Sequence, residues 1–408
     1  STSGWWNMKI EQRPAICIVR HNYYPDSHVR RDAEALTRAG YAVHVVALRR
    51  RGQAPREEIG GVTVHRLPVE HRRGNALRYA REYGSFAIRA LFKVAALQRK
   101  LGFHAVEVDN MPDLLVFSAL VPKLLGVPIH LYIFDNMPEL FAHIKGVSSQ
   151  HPVVRLLAAA ERISATFADR VIVTQGAARR AVIGRGVAPD KVSVVLNSAD
   201  EAIFRPRPIQ PARQADDPFE IVTHGVLLQR YGVHILIDAL PQIAAALPNV
   251  RCQIFGEGEY RAALEARARE RGVADRVVFR GFAPQGELLD ALARADVGYV
   301  GMLCDLMLSN KLVEYVTVGV PAVVARWPTF EEYFPEGTVS YFPPGDADAL
   351  ADAIIALAHD PARARQQAAN ATAHNAQYRW AVQQQAYLGI YDAVRPRTVI
   401  PHTSEAAD

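Results

Sequence analysis

Cysteine is scarce in this 408-residue chain, which holds three thiols, at Cys17, Cys252 and Cys304. So few and so scattered, they exclude a disulfide framework and a cysteine-based zinc cluster, and a reducing cytoplasm is the expected setting. Long apolar runs are also missing. None reaches the ~18 residues of a membrane span, and the opening STSGWWNMKI lacks the basic stretch and apolar core of a signal peptide. The fourteen histidines show no HxxxH or HExxH spacing, so no metal site is expected. Runs of like charge and low-complexity segments are absent too, which excludes bulk disorder.

What is present is the composition of a folded protein, 50% hydrophobic and 22% charged. At ~150 residues per domain the length suggests two or three domains. The net charge of +5 hides an asymmetry: residues 1–205 hold 29 Lys/Arg against 18 Asp/Glu, and the remainder 18 against 24. An N-terminal surface that meets anions and ordinary solvated charge both account for this split. The arginines lack interleaved aromatics or a docking motif, so nucleic acid is not an expected partner.

Apolar runs at 14–20, 42–48, 104–109, 128–134 and 170–174 lack polar alternation and are separated by helical patterns. That pattern marks strands of a parallel sheet covered on both faces. After the proline-rich FRPRPIQPARQADDP the same grammar restarts, with strand-like runs at 219–225, 250–256, 276–281, 297–302 and 321–326. The fold class is therefore α/β, with two doubly wound Rossmann-like domains, 8–204 and 219–377, joined by a linker at 205–218. Such a pair implies a cleft between them. The tail 378–408 opens as a helix with Trp380, Tyr387 and Tyr391 on one face, suited to cross back to the first domain.

In open α/β sheets ligands bind beyond the carboxyl ends of strands, so the residues that follow each strand carry the chemistry. Ser309 and Asn310 are natural caps for a helix that starts Asn310-Lys311-Leu312-Val313-Glu314-Tyr315. Its first N–H groups and Lys311 can hold phosphate, and Glu314, one turn on, can accept from a ribose diol. A surface ion pair between Lys311 and Glu314 is the structural alternative. Gly225 ends a strand where backbone can approach a ligand, and Arg230 offers a guanidinium fork to a diphosphate. The turn Gly256-Glu257-Gly258 lacks the spacing of a dinucleotide fingerprint and also reads as a plain strand-to-helix joint. In the first half, Asp135 and Glu139 follow a strand and are placed either to position an acceptor hydroxyl or to open a helix. The loop with Tyr24, Asp26 and His28 follows the first strand and projects toward the cleft.

Taken in order, YYPxDxxVRRxAEAL (Tyr23 to Leu36), NMPDLLVFSALVPKLLG (Asn110 to Gly126), DxMPEL (Asp135 to Leu140), HGxxxxRYG (His224 to Gly232), IFGEGEY (Ile254 to Tyr260) and NKLxEYxxxGxP (Asn310 to Pro321) resemble the retaining, nucleotide-sugar-dependent glycosyltransferases of family 4. The resemblance runs from about Pro14 to Val394 and implies the GT-B fold. It implies that Glu314 binds the donor ribose and that Arg230 and Lys311 neutralise the diphosphate. Gly225, Gly256 and Glu257 would line the donor pocket with Asn310, and the base would lie near Gly281 and Phe282. Tyr24, Asp26, His28 and Asp135 would face the acceptor, with Asp135 and Glu139 beside Arg230 and Lys311 as the catalytic set. No metal or other cofactor is implied, since fixed cations and helix dipoles serve the leaving group.

The chain departs from the family pattern at three places. Leu306, beside Asp305, stands where many members have a second glutamate, Phe134 replaces a histidine, and Tyr231 replaces a lysine. A nucleotide-sugar-binding protein with lost or altered catalysis, and an epimerase on the same fold, are the alternatives to transfer. The expected partners are a nucleotide-sugar donor and a sugar, lipid-linked or small-molecule acceptor. Arg49 to Arg51, Arg72, Arg73, Arg78, Arg81, Arg89 and Lys93, with Leu77, Phe86, Leu91 and Phe92, read either as a solvated helix or as a peripheral contact with an anionic membrane.

Overall fold

The structure, a computed structural model, describes residues 13–69, 76–207 and 217–393. The chain divides into two compact units. The first comprises residues up to Leu196 together with those from Gln383 on, and the second is Asn197–Val382.

In the first unit, strands β1 (Ala15–Tyr23), β2 (Ala42–Leu48), β3 (Arg56–Ile59), β4 (Val62–Leu67), β5 (Phe103–Asp109), β6 (Ile129–Ile133), β7 (Arg170–Val173) and β8 (Val192–Val194) form one sheet. Helices α1 (Ser27–Arg38), α2 (Ala76–Leu101), α3 (Leu120–Leu124), α4 (Met137–Lys145), α5 (Pro152–Phe167) and α6 (Gly176–Gly184) connect them. The sheet order is β3-β4-β2-β1-β5-β6-β7-β8, and every pair is parallel except β3 with β4. Continuous burial along β1, β2, β5 and β6 explains their unbroken apolar runs, because helices cover both faces. Order reverses between β1 and β5, so the ligand-binding crevice of this topology lies beyond their carboxyl ends.

The second unit repeats the plan. Its strands are β9 (Phe219–His224), β10 (Val250–Phe255), β11 (Val277–Gly281), β12 (Val297–Val300), β13 (Ala322–Ala325) and β14 (Ser340–Phe342). Its helices are α7 (Val233–Ala246), α8 (Arg261–Glu270), α9 (Gln285–Arg294), α10 (Asn310–Val318), α11 (Pro328–Tyr333), α12 (Ala347–His359) and α13 (Pro361–Asn375), with α14 (Trp380–Asp392) leading back to the first unit. All neighbours in the order β11-β10-β9-β12-β13-β14 are parallel, and the switch point falls between β9 and β12.

Helix α14 ends in the first unit. Tyr387 and Tyr391 are fully buried there, and both hydroxyls donate to Glu107 of β5, Tyr391 at 2.6 Å and Tyr387 at 3.1 Å. Glu107 is itself buried, and desolvation, reinforced by Asp109, raises its carboxyl well above the ordinary value. An unpaired carboxylate in such a place would cost several kcal/mol, about the order of a buried ion's penalty; the tyrosine hydroxyls supply the missing donors.

The unit boundaries differ from the sequence reading. Residues 197–207 belong to the second unit because Asn197 Nδ2 donates to Asn310 Oδ1 at 2.8 Å, the Ser198 hydroxyl bonds the Tyr378 carbonyl, and the Arg207 N–H donates to the Val318 carbonyl at 2.9 Å. Arg207, expected in the linker, also drives its guanidinium to the Leu292 and Ala295 carbonyls that close α9. Residues 208–216 of that linker lie outside the described residues. Helix α2 needs a second correction. Phe86, expected on its membrane-facing stripe, is fully buried with Ala90 and Val94 against the sheet, whereas Ile88 and Phe92 point outward. Burying one such phenylalanine is worth about 1.5–3 kcal/mol, which sets the helix's rotation. Arg72 and Arg73 lie outside the described residues.

Candidate functional site

Four strand ends of the second unit converge on one cluster. Strand β9 stops at His224, and Gly225 turns the chain with φ +117°. Leu228 leads into a short turn, Gln229–Tyr231, that places Arg230 and Tyr231 side by side. Two cations share the Tyr231 ring: the Arg230 guanidinium carbon lies 4.9 Å from its centroid, and Lys311 Nζ, from the first turn of α10, lies 5.4 Å away. Each contact falls within cation–π range. A side-chain carbon placed on Gly225 would touch Lys311 Cε at 4.0 Å, so Gly225 keeps the space above Lys311 open.

The electrostatics of α10 follow from this burial. Desolvation pulls the Lys311 ammonium down to about 8, with Glu314 opposing, and lifts the Glu314 carboxyl to about 7, with Lys311 opposing. Among the described residues the two form no ion pair within 4 Å, so the surface salt bridge that the spacing also allowed is not what the structure holds. Glu314 Oε2 instead lies 3.1 Å from His224 Nε2, and neither atom completes a hydrogen bond. Desolvation, then Lys311, brings the His224 ring down to about 3, so it is neutral at pH 7. Arg230 Nε is likewise buried without a partner. A site with an unpaired guanidinium nitrogen, an ammonium and an unpaired carboxyl oxygen suits a ligand that carries both anionic oxygens and hydroxyls.

The cap of α10 is barer than expected. Ser309 occupies the cap position by its backbone, its side chain makes no capping bond, and Asn310 spends its Oδ1 on Asn197. The Leu312 N–H turns back to the Ser309 carbonyl at 3.1 Å, and the Asn310 and Lys311 N–H groups are left to whatever sits at the helix end. Tyr315, fully buried, locks the helix by donating to the Val222 carbonyl at 3.3 Å and meeting His224 edge-on.

The glycine turns serve the backbone. Gly225 N–H donates to the Phe255 carbonyl at 3.0 Å, and Gly256 N–H to Gly281 at 2.7 Å, which laces together the ends of β9, β10 and β11. Gly256 has φ +121°, and a Cβ there would stand 1.9 Å from the Gly225 carbonyl oxygen. These two N–H groups are spent on neighbouring carbonyls and cannot cradle a phosphate. Glu257 pairs with Arg261 one turn on, while Phe282, just past Gly281, exposes 93% of its surface. Asp305, next to Leu306, accepts from the Thr329 N–H at 3.2 Å and caps α11. Among the described residues no group of three or more His, Cys, Asp or Glu side chains is gathered to hold a metal ion.

In the first unit several expectations need correction. Tyr24 is 3% exposed, a core residue that presents nothing to an acceptor. Asp26 caps α1: Oδ1 accepts from the His28 N–H at 3.1 Å, and Oδ2 from Asn22 and from Arg20 at 3.3 Å. Glu139 turns to Arg185, which also holds the buried Glu161 at 2.5 Å, so its carboxylate belongs to a structural ion cluster. Asp135 remains at the end of β6 as expected. Its carbonyl and the Phe134 N–H are both held by the Asn110 amide, at 2.7 and 2.9 Å. Phe134 itself stacks on Tyr132 at 4.2 Å with the Arg20 guanidinium 4.6 Å above it and His28 at 5.8 Å. Sequence reasoning missed His224 as the neighbour of Glu314 and Asn110 as the clasp on Asp135. Each sits at or just past the end of a strand, the one signal that pointed to them.

Comparison with known proteins places both halves of the chain in glycosyltransferase families. Residues 25–198 match the family described as Glycosyl transferase 4-like domain, and residues 205–374 match Glycosyl transferases group 1. Both halves of the chain are glycosyltransferase domains. Together they resemble the family 4 glycosyltransferases and carry the GT-B fold. The Lys311–Glu314 cluster lies in the group 1 domain, and the Asn110–Asp135 clasp in the 4-like domain. Among curated proteins, phosphatidyl-myo-inositol mannosyltransferase of Mycobacterium leprae is 30% identical over 167 residues, which is 40% of this chain and 44% of that one. The chain thus spans less than half of that relative's length. Among solved structures, sucrose-phosphate synthase from Thermosynechococcus elongatus superposes with a TM-score of 0.76 at 20% identity, covering 93% of this chain and 99% of that one. Anabaena HepE, in complex with UDP and glucose, gives 0.73 at 17% identity, covering 93% and 100%.

Proposed function

We propose that the chain is a glycosyltransferase that moves a sugar from a nucleoside diphosphate carrier to a hydroxyl-bearing acceptor. The observation that carries this reading is the pair of cations, Arg230 and Lys311, on the Tyr231 ring beside the buried, unpaired Glu314. In this role the cations and the start of α10 hold the diphosphate, and Glu314 accepts from the ribose diol. Gly225, Gly256 and Glu257 line the pocket, and Phe282 offers its exposed ring to the base. Tyr231 takes the place of the lysine that the family resemblance leads one to expect, and its ring lies within cation–π range of both cations.

In the proposed reaction, as the family resemblance implies, the sugar keeps its anomeric configuration. The acceptor hydroxyl approaches the anomeric carbon on the face from which the diphosphate leaves, the new carbon–oxygen bond forms as the old one breaks, and the proton passes to the departing phosphate oxygen. Lys311 and Arg230 neutralise the charge that develops there, so no metal is required. Asp135, held by Asn110, orients the acceptor. The names of the curated relatives favour a lipid-linked acceptor and hence contact with a membrane surface. Among the described residues no helix is long and apolar enough to cross a membrane, and that contact would be peripheral.

Calorimetric titration with UDP- and GDP-sugars tests the reading. A matching donor binds wild type, and Glu314→Ala weakens it at least about tenfold, equivalent to ~1.4 kcal/mol. Unchanged binding by Glu314→Ala would end the assignment. Phe134 and Leu306, which depart from the family pattern, favour a second reading, a sugar-nucleotide-binding protein without turnover; donor binding with no product across sugar, lipid and small-molecule acceptors would select it.

A further inference from the structure

We propose that the outer face of α2, of the adjoining segment 113–124 and of α5 is a docking surface for an anionic lipid bilayer. Ten of the fourteen exposed large hydrophobic residues among the described residues fall between residues 88 and 163, and eight of those ten lie on these three elements. They include Ile88 and Phe92, one turn apart on α2, then Leu120 and Leu124, then Leu156 and Ile163 on α5. Phe92 exposes 70% of its surface and Leu124 76%. A soluble surface scatters such residues singly; a contiguous set marks an interaction face.

The three elements form one layer. Helices α2 and α5 both pack against the turn Asp113–Ala119 that opens the middle segment, and Phe117 of that turn meets Phe167 of α5 at 4.8 Å. The inward stripes of the helices are conventional core, Phe86, Ala90 and Val94 on α2, Val154 and Ala165 on α5. Outward, α5 repeats Val153, Leu156 and Ile163 at intervals of three and seven, a second apolar stripe that the fold leaves uncovered.

Charge selects the partner. Helix α2 carries six basic residues and one acid, Glu82, which is buried against His21 at 3.3 Å. The acids of the other two elements, Asp113 and Glu161, are buried as well. No exposed carboxylate lies on this layer, while Arg81, Arg89, Arg155 and Arg162 flank the apolar stripes in solvent. An isologous dimer through this face would set arginines against arginines, which like-charge repulsion opposes. Acyl chains accept the leucine and phenylalanine side chains, and anionic headgroups pair with the flanking cations.

The surface gives the membrane contact of the proposed function a place in the fold, and its test uses no donor or acceptor, so that its failure and the failure of the sugar-transfer reading are told apart. The full chain is sedimented with phosphatidylcholine vesicles and with vesicles that also contain phosphatidylglycerol. Wild type partitions at least about tenfold more onto the anionic vesicles, less so as salt rises. Two double variants, Phe92→Ser with Leu124→Ser and Arg89→Glu with Lys93→Glu, each lose at least about tenfold of that partition. Their melting temperatures match wild type, because the serine pair replaces exposed side chains and the glutamate pair replaces basic residues that hold no ion pair in the core. Equal partition by wild type and both variants, no partition by wild type, or a concentration-dependent dimer that the serine pair dissolves would each overturn the proposal.

Discussion

Replacing Lys311 with methionine keeps most of the side chain's length beside Tyr231 and removes its charge. In the free protein burial lowers the ammonium from 10.5 to about 8, a charging cost of roughly 3 kcal/mol at neutral pH. Removing that charge returns some of this cost. Glu314 does not offset the gain, since without Lys311 its carboxyl rises above about 7 and stays protonated at neutral pH. The expected change is a stabilisation of roughly 1–3 kcal/mol, seen as a rise in melting temperature of about 2–4 °C per kcal/mol for a unit of this size. Donor binding moves the other way. A diphosphate deprived of a desolvated cation loses about 2–5 kcal/mol, which raises Kd by roughly thirty- to several-thousand-fold. Scanning calorimetry without ligand and titration with a UDP- or GDP-sugar, run on one preparation, read both effects. A lower melting temperature with unchanged affinity would make Lys311 a structural residue and refute the reasoning.

Further outcomes follow from the same geometry. Glu314 accepts ribose hydroxyls as a carboxylate, and Lys311 holds phosphate as an ammonium. Affinity measured across pH should therefore climb as Glu314 ionises near 7 and decline as Lys311 loses its proton near 8; a flat profile from pH 6 to 9 would contradict it. In the free protein, stability from Glu314 is complete below its ordinary 4.5 and lost as pH rises to about 7, whereas Lys311 returns stability between about 8 and 10.5. Gly256→Ala forces a methyl to 1.9 Å from the Gly225 carbonyl oxygen at a φ that side chains rarely adopt, and should cost at least about 2–3 kcal/mol. Gly389→Ala in α14, with nothing within 4 Å of its added carbon, is the control and should gain up to ~1 kcal/mol in the same calorimeter.

Much of the fold was legible because strands buried on both faces must be apolar without alternation, and β1, β2, β5, β6 and β9 read that way. The start of α10 was legible for a different reason: cap, lysine and glutamate lie within one turn, so their joint position follows from helical spacing. Tyr231 was visible only as a departure from a pattern. Its use as a shared platform for Arg230 and Lys311 depends on two loops that follow different strands.

Other features had no local signal. Pro138 and Glu139 read correctly as a helix opening, yet the partner of Glu139 is Arg185, 46 residues away, and that pairing removes it from the acceptor site. Tyr24 sits in a polar loop and is buried all the same. Residues 197–204 read as the end of the first domain and 205–207 as linker, and three contacts within the second unit reassign them.

The sequence by itself determined which segments are strands and helices and which strand ends carry charge, because periodicity, caps and turn residues act over a few positions. Only the tertiary structure decided which of those charges lose their water and which find a partner. Burial and pairing are set by residues far apart in the chain, and they separate Glu314, lifted toward neutrality beside His224, from Glu139, spent on an arginine.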